Sequence, residues 1–269
     1  MTPLPGQWNE LPARSFADLP AQAVALLPLG ATEQHGPHLP CGVDSMLTRA
    51  VMERALAALP AGTPVLVLPM LEITCSGEHD AWAGTLSLSP EAMLQQLNAI
   101  GSSVARSGVG RLFMLNGHGG NAAILQVAAR ELRRAHGLVA AQASWFAFAD
   151  LSRHDPARLR DDLHAGFLET AAMLAIRPEL VDTERAAVFP VPLSDWASQT
   201  PMIGLGGQPV QPAWLAPDLN AEGAMGDARA ASAEAGAALL DSAGRGLAEA
   251  LLQFMCFDPA ARHGERGGK

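Results

Sequence analysis

Residues 23–40 read Ala23-Val-Ala-Leu-Leu-Pro28-Leu-Gly-Ala-Thr-Glu33-Gln-His35-Gly-Pro-His38-Leu-Pro40, and this stretch decides the fold. Ala23 to Pro28 is short and wholly apolar, the pattern of a strand buried on both faces of a parallel sheet. Glu33 and His35 follow just past the end of that strand. Asp44 then opens an Ala-rich amphipathic helical pattern that runs to Leu59. Open α/β sheets place their chemistry beyond the carboxyl ends of strands. A carboxylate, an imidazole and a second carboxylate at one such end make half of a metal site.

Working outward, Val65-Leu-Val-Leu-Pro69, Arg111-Leu-Phe-Met-Leu115 and Leu138 to Phe146 read as further strands. Helices are expected at Ser89-capped Pro90 to Arg106, Asn121 to His136, Phe167 to Ile176 and, as a long tail, Asp227 to Phe254, with a break at Gly244. Strand and helix alternate, which predicts an α/β fold with a mostly parallel sheet. The span 188–219 breaks the rhythm. It is rich in Pro, Gly and Gln and carries Trp196 and Trp214, and it reads as an excursion over the site or at a subunit contact. Residues 261–269 read as a disordered tail.

The chain has 269 residues, 49% of them hydrophobic, which fits one large α/β domain spanning 1–269. Its net charge is −9 with no block of Lys or Arg, which argues against nucleic-acid or anionic-membrane partners. No apolar run is long enough to span a bilayer. Three widely spaced cysteines, Cys41, Cys75 and Cys256, suit reduced thiols, with Cys41 and Cys75 read as buried and structural. With no basic n-region at the start, the expected location is cytoplasmic. Tyrosine is absent, which removes one type of general acid.

Three more polar clusters fall at strand ends or helix starts: Ser76-Gly-Glu-His79 with Gly84-Thr85, Asn116-Gly-His118-Gly-Gly-Asn121, and His164-Ala-Gly-Phe-Leu-Glu169-Thr170. Together with the first stretch they hold five of the eight histidines: His35, His38, His79, His118 and His164. One crevice could collect them all. His38 and His79 read either as structural or as supporting groups. No Walker lysine follows the Gly-His-Gly-Gly turn, it is not a dinucleotide fingerprint, and no Gly-x-Ser-x-Gly occurs. Phosphate-loop and serine-hydrolase chemistry are therefore not indicated.

These blocks, with Gly223-Ala-Met-Gly-Asp227, resemble the creatininase (creatinine amidohydrolase) family over about residues 20–250. The resemblance implies a three-layer α/β/α sandwich, two divalent metal ions per chain and a homo-oligomer, a hexamer. It implies Glu33, Asp44 and His118 on one metal, and His35 and Asp44 on the other, with Asp44 bridging. Where creatininases proper have Tyr and a Glu ligand after the Asn-Gly-His block, this chain has Gly119 and Gly120. Glu169 then completes the second metal by resemblance to relatives sharing the Gly-His-Gly-Gly-Asn form. Arg160 stands where creatininases carry a Trp. These departures argue against creatinine and leave a small cyclic amide, a formamide or a short peptide as the substrate. A leaving nitrogen needs a proton, and His164 is the candidate general acid. Carboxylate and imidazole ligands suit Zn, Mn or Fe. Hydrolysis of a lactone or keto-cyclitol ring on the same fold is the alternative, and a metal-binding scaffold without turnover is a third reading.

Overall fold

The computed structural model describes residues 5–260; the tail 261–269 lies outside them. Five parallel strands form the central sheet: β1 (Gly6–Gln7), β2 (Val24–Leu29), β3 (Val65–Val67), β4 (Arg111–Asn116) and β5 (Val139–Ser144), in the order β1-β3-β2-β4-β5. Every residue of β2 is buried, as a central strand demands. Its alternate residues serve opposite layers. Val24 and Leu26 join Phe113 and Leu115 on one face, while Ala25, Leu27 and Leu29 join Leu112 and Met114 on the other.

The helices in chain order are α1 (Val43–Ala58), α2 (Pro90–Arg106), α3 (Ala122–His136), α4 (Pro156–Asp161), α5 (Phe167–Ile176), α6 (Leu193–Gln199), α7 (Ala216–Leu219) and α8 (Ala233–Cys256). Helices α1, α5 and α8 cover the first face. The second face is covered by α2 and α3. The result is the expected three-layer α/β/α sandwich. Local chemistry sets the ends: the Ser89 side chain accepts from the Ala92 N–H with Pro90 at the first helical position, a cap worth about 1 kcal/mol.

Several expectations are corrected. The tail helix starts at Ala233, not Asp227, because Gly226 and Asp227 form β7, paired antiparallel with β6 (Val188–Phe189), and Ser232 caps the helix by accepting from Ala235 N–H. Nor does Gly244 break α8. A β-carbon there would sit 2.5 Å from Cβ of Arg54, so the glycine lets α8 cross closely over α1. The strand expected over 138–146 ends at Ser144 in a short 3-10 turn, and that expected over 65–69 ends at Val67. Cys41 and Cys75 are partly buried, not fully buried as expected.

From β2 the chain crosses to β3 at one side, then to β4 at the other, so consecutive connections diverge between β2 and β4. That divergence opens a crevice beyond their carboxyl ends. The 188–219 excursion folds beside it. Ala216, Leu219 and Met225 form a small core with Trp196 and Trp214, and with Trp82 from the loop after β3. No helix among the described residues is long and apolar enough to cross a membrane.

Candidate metal centre

Four segments meet in the crevice. Glu33 and His35 come from the loop after β2, Asp44 from the first turn of α1, His118 from the turn after β4, and Glu169 from the first turn of α5. All five are buried. Asn116 and Asn121 hold the His118 turn: Asn116 Nδ2 donates to the His118 carbonyl at 2.7 Å, and Asn121 Nδ2 donates to Asn116 Oδ1 at 3.2 Å.

Hydrogen bonds from behind decide which nitrogen each ring presents. His35 Nδ1 lies 3.0 Å from the Glu33 carbonyl and must donate to it, so Nε2 is the nitrogen turned toward the site. That Nε2 stands 3.4 Å from Asp44 Oδ1 and 3.8 Å from Glu169 Oε2. His118 is turned the other way. Its Nε2 donates to the Cys75 carbonyl at 2.9 Å, leaving Nδ1 3.1 Å from Glu33 Oε1 and 3.5 Å from Asp44 Oδ2. Metal-binding histidines carry this arrangement, one nitrogen anchored and the other free.

Asp44 faces both groups, one oxygen toward each ring. Within the expected sets His118 reaches Glu33 and Asp44, and His35 reaches Asp44 and Glu169, while the compact three-residue groups of ligand atoms cut across those sets, Glu33 with His35 and Asp44 among them. Both Glu33 carboxylate oxygens, His35 Nε2 and Asp44 Oδ2 are buried without a hydrogen-bond partner. Buried polar atoms are rarely left so, and charged ones least of all. Bare donor atoms of carboxylate and imidazole, aimed at one another, fit divalent transition metals. The ligand atoms of Glu33, His35 and Asp44 lie within 4.8 Å of one another.

The carboxylates and imidazoles shift one another's protonation. Burial lowers the His35 imidazole, but Asp44 and then Glu169 outweigh it and push it up to about 10. His118 is likewise driven to about 9 against burial, chiefly by Glu33. Burial raises Asp44, and the Glu33 charge adds to it. Burial raises Glu169 to about 7. Glu33 resists burial because His118 beside it holds its carboxyl well below the usual range.

His164 reaches the same space. Its Nε2 donates to the Gln34 carbonyl at 2.8 Å, and Nδ1 stands 3.7 Å from Glu33 Oε1. Ala165 beside it has φ 52, the one positive φ outside glycine among the described residues, and its N–H donates to Glu169 Oε2 at 2.6 Å. That local strain orients His164 and Glu169 together. Distance also places His164 in two ligand-range groups, with His35 and Glu169 and with Glu33 and His79.

Sequence reasoning passed over Gln34 and Glu78. Gln34 is buried between His79 and His164, and Glu78 Oε1 lies 3.5 Å from His118 Nε2. The signal for Glu78 was its place beside His79; Gln34 carried none, since a glutamine in a loop is ordinarily solvated. His38 is supporting, its Nε2 2.9 Å from Thr170 Oγ1 and its ring stacked on Phe189. Arg160 stays outside the site, on α4, paired with Asp161 at 2.8 Å.

The fold and site define an α/β protein with a candidate carboxylate–imidazole metal centre at a strand-order switch. The chain belongs to the creatininase family of amidohydrolases, whose profile, described as creatinine amidohydrolase, matches residues 7–251. It is 39% identical over 183 residues to the mycofactocin precursor peptide peptidase of Mycobacterium ulcerans (strain Agy99), covering 66% of this chain and 68% of that protein. It is 32% identical to the creatinine amidohydrolase of Pseudomonas putida, covering 91% of this chain and 93% of that protein. A crystal structure of creatinine amidohydrolase superimposes with TM-score 0.69 at 32% identity, over 91% of this chain and 96% of that one. Solved creatininases described as a manganese form and a Zn–Zn form align with the same TM-score, 0.69.

Proposed function

We propose that this chain is a two-metal amidohydrolase that cleaves the C–N bond of a small cyclic amide, a formamide or a short peptide. The carrying observation is the set of bare, buried ligand atoms on Glu33, His35 and Asp44, converging with His118 and Glu169. Glu33, Asp44 and His118 would hold one ion, and His35, Asp44 and Glu169 the other. Zn, Mn or Fe suits the donor set. When bound, the two ions supply Lewis acidity at the scissile carbonyl and lower the pKa of water.

His164 moves the proton. Its Nδ1 is bare and faces Glu33, while Nε2 is anchored on the Gln34 carbonyl. Nδ1 takes a proton from the attacking water and returns it to the leaving nitrogen, which cannot depart as an anion. The buried surroundings lower this imidazole well below its usual range, so it starts neutral and able to accept.

Among the three substrate classes, room beside the metal ligands favours the larger. A β-carbon at Gly119 would meet no atom within 4 Å. That open space leaves room for a short peptide end, the substrate class named for the peptide peptidase relative. Met202, Val210 and Leu215 of the excursion are exposed, which supports self-association, with a hexamer as the expected state. The three free thiols suit the cytoplasm. The whole chain acts as one domain.

Elemental analysis of the purified protein, followed by a screen of short peptides, formamides, cyclic amides and lactones, tests the reading. About two transition-metal ions per chain and turnover of an amide are expected. Turnover of lactones alone would replace the C–N reading with ring-ester hydrolysis, and a metal-free, inert protein that gains nothing from added Zn or Mn would overturn it.

A further inference from the structure

Gln34 lies between two site histidines, and its own bonds fix how its amide is turned. Oε1 accepts from the Gly36 N–H at 2.8 Å, while Nε2 stands 2.8 Å from the Gly223 carbonyl and 2.8 Å from His79 Nδ1. Reversing the amide would set donor against donor at Gly36 and oxygen against oxygen at Gly223. Nε2 has two hydrogens, one for Gly223 and one for His79. His79 Nδ1 must therefore accept, and its ring carries its proton on Nε2, which faces Glu33 Oε1 at 3.5 Å.

The main chain of the same residue sets the second ring. The Gln34 carbonyl takes the Nε2 proton of His164, so His164 turns a bare Nδ1 toward the same Glu33 oxygen. The two rings lie together, with centroids 4.2 Å apart and planes inclined by 30°.

We propose that Gln34 is a positioning residue that gives these two histidines opposite polarity, His79 presenting an N–H donor to the site and His164 a bare acceptor. This extends the hydrolase reading and rests on it for its catalytic meaning. It separates the two rings that distance alone groups with Glu33 as ligands. A nitrogen that carries a proton does not bind a metal, so His79 is a donor and Glu33 gains no third ion through it. Tautomer and orientation set what each ring offers. A fixed N–H beside the reacting carbonyl would stabilise negative charge on its oxygen.

Solid-state nitrogen-15 spectra of histidine-labelled, zinc-loaded protein test this without reference to turnover, with the His79 signals assigned by His79→Gln. The expected wild-type spectrum shows His79 protonated at Nε2 and bare at Nδ1. In Gln34→Glu the carboxylate accepts from Nδ1, so the His79 proton moves to Nδ1, while His164 keeps its Nε2 proton because its partner is the main chain. Elemental analysis of that variant should also show extra zinc, since Nε2 is then free to bind. A wild-type His79 protonated at Nδ1, or one with Nε2 shifted by zinc, overturns the proposal whether or not the variant folds. His79→Gln should keep its zinc and lose about 10²- to 10³-fold in kcat, the usual cost of removing one such donor. Loss of zinc in His79→Gln would instead make His79 a ligand. The expected tautomers in a protein that hydrolyses no amide would leave this proposal standing and remove the hydrolase reading.

Discussion

His118 is held from behind by the carbonyl of Cys75, 2.9 Å from its Nε2, and only that grip leaves Nδ1 for Glu33 and Asp44. Gly120 makes the grip possible. A β-carbon there would stand 2.5 Å from His118 Nε2 and 2.7 Å from the Cys75 oxygen, against the Glu78 carboxylate as well. Glu78 can swing away; a backbone carbonyl and an anchored ring cannot. Gly120→Ala should therefore weaken metal binding by about 10- to 100-fold, the usual effect of disturbing a ligand's supporting bond. Competition with a chelator measures it, and circular dichroism checks that the fold survives. Unchanged affinity would remove Gly120 from the site's design.

Asp44 presents one oxygen to His35 at 3.4 Å and the other to His118 at 3.5 Å. Asp44→Ala should be the most damaging single ligand change, with metal content falling toward zero. Glu33→Ala and Glu169→Ala should each retain more. If Asp44→Ala kept two ions and turned over substrate, the shared-ligand role would be wrong.

His164→Ala separates proton transfer from metal binding. The variant should keep its metal while its rate falls about 10²- to 10⁴-fold, the usual contribution of a general acid–base group. The deficit should shrink for substrates with good leaving groups, which need less protonation. A drop in metal content would make His164 a ligand, and near wild-type turnover would take it out of the reaction.

The metal-free site carries a pH signature. Folding raises His35 from 6.5 to about 10 and His118 from 6.5 to about 9. A raised imidazole adds stability that is complete below about pH 6.5 and is lost as pH rises through the folded value. The chelated protein should thus melt at progressively lower temperature from pH 7 to 10. Metal loading must expel both protons, so apparent affinity should rise over the same interval, with proton release measurable in weakly buffered solution. A flat Tm for the chelated protein, with no proton release on adding zinc, would contradict these protonation states.

Met202 and Leu215 are 60% and 54% exposed on the excursion beside the site. Light scattering should find an oligomer at micromolar concentration, and Met202→Asp with Leu215→Asp should shift it toward smaller species. A wild-type monomer would contradict the hexamer.

Much of the architecture was legible along the chain because its signals are local. A run such as 23–28, short, wholly apolar and closed by Gly30, reads as a strand buried on both faces, and Ser89-Pro90 carries the signal of a helix start in its own chemistry. Glu33, His35 and Asp44 could be read as a group because a strand end and the next helix start keep them near one another. Grouping them with His118 and Glu169 took the family resemblance, since those residues lie 85 to 136 positions from Glu33. Their meeting depends on the strand order β1-β3-β2-β4-β5, which sets β2 beside β4.

Tertiary structure alone decided the rest. Asp227 looked helical by composition, yet pairing with Val188 drew it into a strand. Gly244 looked like a break, yet contact with Arg54 made it a crossing point. The clearest case is the polarity of the imidazoles. A histidine's sequence position names two nitrogens and chooses neither. The choice falls to whatever backs the ring: the Glu33 carbonyl for His35, the Cys75 carbonyl for His118, and for His79 and His164 the side chain and the carbonyl of Gln34. Except for the Glu33 carbonyl, these partners arrive from distant parts of the chain, and only packing brings them within hydrogen-bonding distance.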